Sequence, residues 1–519
     1  MSILLTRPPQ PGLPYLYEDL GLGLVAAALR KAGFECRIDD GFQADLDLKD
    51  YLHSLAEAPE PVIGFPIHGE QTADEILQIS SLLKKLRPDK TIILGGHPVR
   101  AIDVDIFRYY PKGFDYLVRG EGEETIVDLM KWITEGRPKI ESIDGVSYRV
   151  KGQFFRNRPR KRTGRYGQYP WAARDIWENG KRRPFSNSLL VSYSRGCNHH
   201  CSFCSVAAFH GHGESHWLAR PIHQFTRELS SLKEKYGISD FTIVDPNFIG
   251  SVADQDKLVR HFCQGIRHAE LKIQFEIATR VDSLTPRRID LLYEAGMRRI
   301  FLGLESGVDE ILRLWHKGLR PSQSRDILNR LVDAGIYMDI GFIMLSPQTT
   351  ISEIRRNVAF LRQLPYFNAY NIEQQMWVFH MGPEMFNMDP RFLLPAKRRI
   401  YRRYAFQDPK ILDYLAMCQH LGRGLGIYLG QVRHTAWYKW GAQPGIAPLY
   451  RPTMEELLGV YLKIVEAGLD KIERGVSRRA LIQFIHRSVI SYQSDFARKA
   501  KKFREFVRAL PGPFKTNSA

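Results

Sequence analysis

From the first residue to about residue 140, short apolar runs alternate with stretches of helical period. Ser2–Leu5 (SILL), Pro61–Phe65 (PVIGF), Thr91–Leu94 (TIIL) and Tyr116–Val118 predict strands. Leu20–Ala32, closed by Gly33, then Ala73–Leu86 and Glu123–Thr134 predict helices between them. Strand–helix alternation with short glycine-bearing turns predicts a doubly wound parallel sheet, whose ligands bind at the carboxyl ends of its strands. Those ends carry Arg7-Pro8-Pro9, Pro66-Ile67-His68-Gly69, Gly95-Gly96-His97-Pro98 and Arg119-Gly120-Glu121-Gly122.

Residues 141–184 are basic and weakly periodic, include the hairpin-like stretch GVSYRVKGQFF, and read as a linker. A second alternating series follows. Strands are expected at Leu189–Tyr193, Asp240–Val244, Lys272–Ile277, Arg299–Leu304, Tyr337–Met344 and Tyr370–Trp377. Helices are expected at Ile222–Tyr236, Pro286–Ala295, Ser322–Ala334 and Ile351–Leu364. Six such units predict a partial (β/α)6 barrel over 185–381, with its chemistry at the carboxyl ends of the strands. Residues 382–519 read as mostly helical, basic and aromatic. The fold class is therefore α/β, with a doubly wound domain over 1–140, a partial barrel and a helical tail.

A hydrophobic content of 44% over 519 residues suits a soluble protein of several domains. The start, MSILLTRPPQ, lacks the pattern of a signal peptide, and no apolar run reaches the roughly eighteen residues of a spanning helix. A cytoplasmic protein is expected. The net charge of +17 is concentrated at Arg156–Arg165, Lys181–Arg183, Lys397–Arg403 and Arg498–Arg508. Such clusters attract nucleic acid, anionic lipid or acidic substrates, yet they also describe solvated faces and a linker. Charge alone does not choose the partner.

Three of the six cysteines fall within eight residues, which is not the spacing of a disulfide framework. Cys36, Cys263 and Cys418 stand apart and read as inert buried thiols. Cys197, Cys201 and Cys204 form C-x3-C-x2-C directly after a predicted strand, preceded by Gly196, which gives the loop freedom to wrap an inorganic centre. A structural zinc would need a fourth ligand, for which His199, His200 and His210 are at hand. An electron-transfer cluster would take four cysteines, whereas three leave one iron open to a further ligand.

This loop, with an aromatic residue before its last cysteine and a strand–helix series around it, resembles the radical S-adenosylmethionine (SAM) superfamily. The resemblance implies a [4Fe–4S] cluster on Cys197, Cys201 and Cys204 whose open iron is chelated by SAM. It further implies reductive cleavage to a 5′-deoxyadenosyl radical, with an external electron donor of flavodoxin or ferredoxin type. Phe203 should pack near the adenine. Asp245, Asn247, Glu276, Arg280, Glu305, Ser306 and Ser346, all expected at strand ends, should hold the rest of SAM. Arg280 suits a carboxylate because its guanidinium is permanently charged and forked. Relatives often carry two acidic residues where this chain has Asp245-Pro246.

From about Leu4 to Leu364 the order of LLTRPP, GLGLVAAALRKAGFEC, IGFPIHGEQTADEI, ILGGHPVRA, DYLVRGEGEETI, IDGVSYR and the cysteine loop resembles the cobalamin-binding radical SAM group. The tRNA methylthiotransferases, which bring three more cysteines in their leading domain, fit poorly because Cys36 stands alone there. The resemblance implies cobalamin at Pro66, His68, Gly69, Gly95, Gly96, His97 and Gly120. The D-x-H-x-x-G signature that supplies a histidine to cobalt is missing, so the lower ligand is water, none, or His68. The implied reaction is methylation of an unactivated carbon through methylcobalamin and the 5′-deoxyadenosyl radical. A ring-forming or rearranging enzyme like the anaerobic porphyrin-ester cyclases is the alternative within the group. A non-catalytic nucleic-acid or membrane-surface binder would leave the cysteine loop unexplained. The substrate expected is a small molecule or peptide, not a nucleic acid. The stretch His434–Trp440 would either face an apolar or planar substrate or form part of a helical core.

Overall fold

The computed structural model describes residues 1–9, 18–41, 46–68, 70–162, 164, 166–179, 188–210, 217–250, 253–367, 369–373, 404–440 and 446–510. Gly69 and the basic clusters at 181–183 and 397–403 lie outside the described residues. Strands β1 (Ser2–Arg7), β2 (Glu35–Asp40), β3 (Val62–Pro66), β4 (Thr91–Gly95), β5 (Tyr116–Val118), β6 (Val146–Val150) and β7 (Gln153–Arg156) form one sheet in the order β2-β1-β3-β4-β5-β6-β7. The first five of these strands in chain order are parallel. Strand order reverses at β1, so right-handed crossovers place helices on both faces.

The side-chain period of two decides which face each residue serves. Ile3 and Leu5 pack with Leu22, Ala26, Leu29 and Ile126 on one side. Leu4, Ile63 and Phe65 pack with Leu55, Leu77 and Ile102 on the other. Strand β2 and the helices Leu48–Glu57 and Val99–Tyr109 are absent from the sequence expectation. The ECRIDD strand lies at the sheet edge and buries only Ile38 and Asp40, so it carries no apolar run.

The stretch expected to be linker departs from that reading. Its hairpin, β6 and β7, continues the sheet antiparallel to β5, because Val146 and Tyr148 point into the core on one side. Its arginines pair within the chain: Arg156 with Asp103 at 2.8 Å, Arg158 with Asp144 at 3.3 Å, Arg160 with Glu124 at 3.3 Å and Asp128 at 2.5 Å, and Arg162 with Glu121 at 2.9 Å. Arg160 and Arg162 thus lie over the acidic first turns of the helix Gly122–Glu135, while Arg156 reaches the helix Val99–Tyr109.

Strands β8 (Ser188–Val191), β11 (Asp240–Ile243), β12 (Gln274–Arg280), β13 (Met297–Glu305) and β14 (Tyr337–Phe342) form an all-parallel sheet in strict chain order. Between β8 and β11 lies a small antiparallel pair, β9 (Ser194–Arg195) and β10 (Leu218–Ala219). Without a reversal, right-handed crossovers put the helices on one side, and the sheet curls as part of a barrel. The sixth expected strand does not begin as one: Ala369–Ile372 is a 3-10 turn, and 374–377 lie outside the described residues. Asn371 donates to the Ile340 carbonyl and Tyr414 to the Ile372 carbonyl, so side chains hold this segment where a ladder would have.

The helices Ile411–Leu421, Ile427–Lys439, Ala447–Glu473 and Arg478–Ala509 share one continuous core with the barrel. Ala436 and Trp440 belong to that core, so the aromatic stretch around them is packing, as the helical-core reading had it. Trp440 donates to the Gly335 carbonyl at 2.7 Å. No helix among the described residues is long and apolar enough to cross a membrane.

Gly296 joins the helix Pro286–Glu294 to β13 at φ +112°, and a Cβ there would lie 2.3 Å from the Ile273 carbonyl oxygen. Gly335 has φ +72° with nothing near its would-be Cβ. Gly296→Ala is expected to cost at least about 3 kcal/mol and Gly335→Ala about 1 kcal/mol, read from denaturant midpoints.

Candidate cofactor site

The carboxyl ends of β1, β3, β4 and β5 open into a cavity of about 520 Å³. Its lining includes Leu5, Pro66, His68, Gly95, Gly96, His97, Val118 and Gly120 from the first sheet. The opposite wall is Ser192, Ser194, Arg195, Gly196, Val244 and Pro246, which belong to the barrel. The cavity therefore lies between the two sheets, at the reversal point between β1 and β3 where a doubly wound fold leaves a crevice.

His68, 47% exposed at its side chain, pairs with the buried Asp19 carboxylate. Desolvation by the surrounding cavity wall disfavours the charged His68 imidazole, but the adjacent Asp19 carboxylate outweighs it and holds the imidazole above its ordinary value. Asp19 also caps the helix Leu20–Lys31, accepting from the Leu22 N–H at 2.9 Å. Asp19 is absent from the sequence expectation: its partner His68 lies 49 residues away, and no local pattern links the two. His97 stacks on Phe209 at 4.5 Å, and burial together with His68 pushes it down to about 4. Gly96 sits at φ +117°, where a Cβ would meet the Ile67 carbonyl oxygen at 2.2 Å. The turn after β4 thus brings bare backbone to the cavity edge. A broad, mostly apolar crevice rimmed by glycine backbone suits a large planar macrocycle such as a corrin.

From β8 the chain turns through Ser192 and Tyr193 into β9, and Gly196 follows at φ +83° just before Cys197. Asp245, at the end of β11, accepts from the Tyr193 N–H (2.9 Å), the Ser194 N–H (2.6 Å), the Ser194 hydroxyl (2.6 Å) and the Ser192 hydroxyl (3.2 Å). Burial pushes this carboxyl up to about 7, against the pull of those donors. Asp245 is committed to the loop itself and has no group left for SAM.

Two residues on, Asn247 accepts from the Thr279 hydroxyl and directs its amide at the Cys197 sulfur, 3.8 Å away. Arg280 places one guanidinium nitrogen 3.8 Å from the Cys201 sulfur, while its others hold Asp282 and the Lys317 carbonyl. Lys317 is buried, bonds Glu305 at 3.0 Å and stands 5.8 Å from the Phe203 ring centre. Phe203 packs edge-on against Trp315 at 5.6 Å, and the Ser202 N–H donates to the Trp315 carbonyl. Asn247, Arg280, Glu305 and Phe203 thus converge on the cysteines as expected, joined by Trp315 and Lys317, which the sequence reading missed. A lysine in W-H-K-G reads as solvent-facing, and only the Gly318 turn at φ +67° hints that the chain doubles back.

Three expected residues lie elsewhere. Glu276 is near the start of β12, about 13 Å along the strand from Arg280, and pairs with Arg299, itself held by Asp240. The strand begins later than the apolar pattern suggested, which moves Glu276 off the carboxyl end. Ser306 donates to the Asn357 side chain at 2.9 Å, and Ser346 shares its hydroxyl and N–H with Thr349. Both are spent on loop structure.

The donors that face the thiols are an amide, a guanidinium and an ammonium, a set that favours thiolate sulfur. Burial pushes the Cys204 thiol up to about 11, so its thiolate needs a positive centre to persist. Among the described residues no three His, Cys, Asp or Glu side chains close on a single ion. A cubane carries its thiolates on separate corners, farther apart than the ligands of one ion. The residues present fit an iron–sulfur cluster.

Residues 191–361 match the Radical SAM superfamily and residues 13–130 the B12 binding domain. A methyltransferase of Pyrococcus horikoshii, uncharacterized by its name, is 26% identical over 70% of this chain and 78% of its own length. The anaerobic magnesium-protoporphyrin IX monomethyl ester cyclase of Synechocystis is 24% identical over 73% of this chain and 74% of its own. The cobalamin-dependent SAM radical enzyme OxsB, solved with aqua-cobalamin and SAM, superposes with a TM-score of 0.74 at 17% identity over 98% of this chain and 84% of its own. With both domains in order on one chain, the protein belongs to the cobalamin-binding radical SAM enzymes.

Proposed function

We propose that this enzyme methylates an unactivated carbon of a small molecule or peptide, with both cofactors working across one wall. Cys197, Cys201 and Cys204 hold the [4Fe–4S] cluster. Arg280 and Lys317 offer cations to the SAM carboxylate, Glu305 an acceptor to its amino group or ribose, and Phe203 and Trp315 flat apolar faces to its adenine. Pro66, His68, Gly95, Gly96, His97 and Gly120, with Asp19, line the cobalamin crevice. When bound, the cluster with SAM supplies a hydrogen-abstracting radical, and cobalamin supplies a methyl group. The protein's part is to hold the two against each other and keep water out.

The observation that carries this reading is the shared wall: Ser192, Ser194, Arg195 and Gly196 line the cavity, and the chain runs from them directly into Cys197. The kinship with a methyltransferase of Pyrococcus horikoshii supports methyl transfer. A ring-forming reaction would use the same two sites, and the Synechocystis cyclase supports it as the second reading. An external reductant of flavodoxin or ferredoxin type and a cytoplasmic setting belong to this reading.

Anaerobically reconstituted protein is expected to bind cobalamin stoichiometrically, show cluster absorption and EPR, and cleave SAM to 5′-deoxyadenosine. The Cys197/Cys201/Cys204→Ala variant should lose the cluster and the cleavage but keep cobalamin. Zinc in place of iron would sink the reading, and a cyclised product without methyl incorporation would select the second one. Lys317→Met should weaken SAM binding about tenfold in equilibrium dialysis, the worth of one charge-assisted bond. Ser346→Ala, which touches only Thr349, should leave SAM affinity within about twofold.

A further inference from the structure

Arg195 lies on β9, two residues before Cys197, and lines the cavity. Its guanidinium donates to Glu123 at 2.5 Å and stands 3.7 Å from Glu121. Both carboxylates lie at the start of the helix Gly122–Glu135 of the first domain, and both line the same cavity. The flat faces of the guanidinium are covered as well: Tyr166 lies 4.3 Å away and Tyr169 5.7 Å. Tyr166 itself donates to the Ser192 carbonyl, and Tyr169 to Glu124.

The pair is almost shut off from solvent, with side-chain exposures of 13% for Arg195 and 6% for Glu123. Leaving either charge without its partner there is costly, so the cysteine loop is tied to the first domain. Only Gly196 separates this anchor from Cys197, and Asp245 fixes the residues before it. The cysteine loop therefore hangs between a barrel anchor and a first-domain anchor, and the second is part of the cavity wall.

We infer that Arg195 and Glu123 are positioning residues that couple the two cofactor sites: filling the cavity orders the cysteine loop, and loading the loop orders the cavity. The inference rests on the functional reading above. Binding linkage is reciprocal, so the coupling must show equally from either side. A guanidinium is suited to this because it bonds Glu123 in its plane while the tyrosines cover its faces, which lysine cannot reproduce.

The test compares the cobalamin dissociation constant of cluster-free and cluster-loaded protein, and the rate of iron release to a chelator with and without cobalamin. In the parent, each cofactor is expected to strengthen retention of the other about tenfold. Glu123→Gln should bring both ratios below about twofold while each cofactor still binds, and Arg195→Lys, which keeps the charge but not the planar contacts, should retain only part of the coupling. Tyr169→Leu, which spares the ion pair, should reduce the ratios less and serves as the deciding variant if Glu123→Gln does not fold. Tenfold ratios that persist in Glu123→Gln, or in Tyr169→Leu where it decides, would overturn the inference. So would a parent that binds both cofactors with no mutual effect. A parent that fails to take up iron or cobalamin would instead overturn the functional reading, and the inference with it.

Discussion

The carboxylate of Asp245 accepts from four donors on three consecutive residues where β8 turns into β9: the Ser192 hydroxyl, the Tyr193 N–H, and the Ser194 N–H and hydroxyl. A buried carboxylate without a counter-ion is costly unless donors surround it. The two backbone N–H groups it satisfies would themselves be stranded by so sharp a turn. Tyr193 locks the arrangement from below, packed among Phe225, Phe248 and Phe262. Asp245 thus fixes where the loop leaves the barrel, and Asn247, on the same short segment, meets it again at Cys197. Everything nearer the cluster inherits this placement.

The same strand is held from the other domain. Glu18 accepts from the Leu190 N–H at 2.8 Å and from Arg174 at 2.5 Å, and Arg174 also bonds the Leu190 carbonyl. Glu228 joins Arg174 and Arg220 to this network. Arg174, buried in a chain of net charge +17, is therefore a bolt between domains, and Arg220 shares its Glu228 within the barrel. Such contacts do little for stability compared with apolar packing, but they accept one geometry and reject slippage. A reaction shared between two cofactors needs that fixity more than it needs stability.

What the sequence could reveal follows the range of each signal. Local ones were plain: the period of β1 and β3, the glycines at 95 and 96, and the C-x3-C-x2-C spacing all concern neighbours along the chain. Strand-end polar residues were legible in part, since Asn247, Arg280 and Glu305 converge on the cysteines while Glu276 does not. A three-residue error in where β12 ends is enough to move a side chain from the site to the barrel floor. Lys317, Asp19 and Arg195 owe their roles to partners far along the chain: Glu123, for one, lies 72 residues from Arg195. No spacing rule announces such pairs. The edge strand β2 escaped for the opposite reason, being too polar to look like a strand.

The barrel's own interior shows why the chemistry is confined to one end. Below the cysteines, Arg299 bridges Asp240 and Glu276 and lies 5.3 Å from the Trp437 ring, while Arg433 pairs with Asp339 at 2.7 Å. Trp437 and Arg433 come from the helix Ile427–Lys439, which meets β14 through the Arg433–Asp339 pair. Among the described residues, the helical region and the charge pairs together fill that end. The carboxyl ends face the first domain across residues 192–196. A substrate placed between the cysteine loop and the cavity would meet both cofactors there, whereas the filled end offers neither room nor an anchored cofactor.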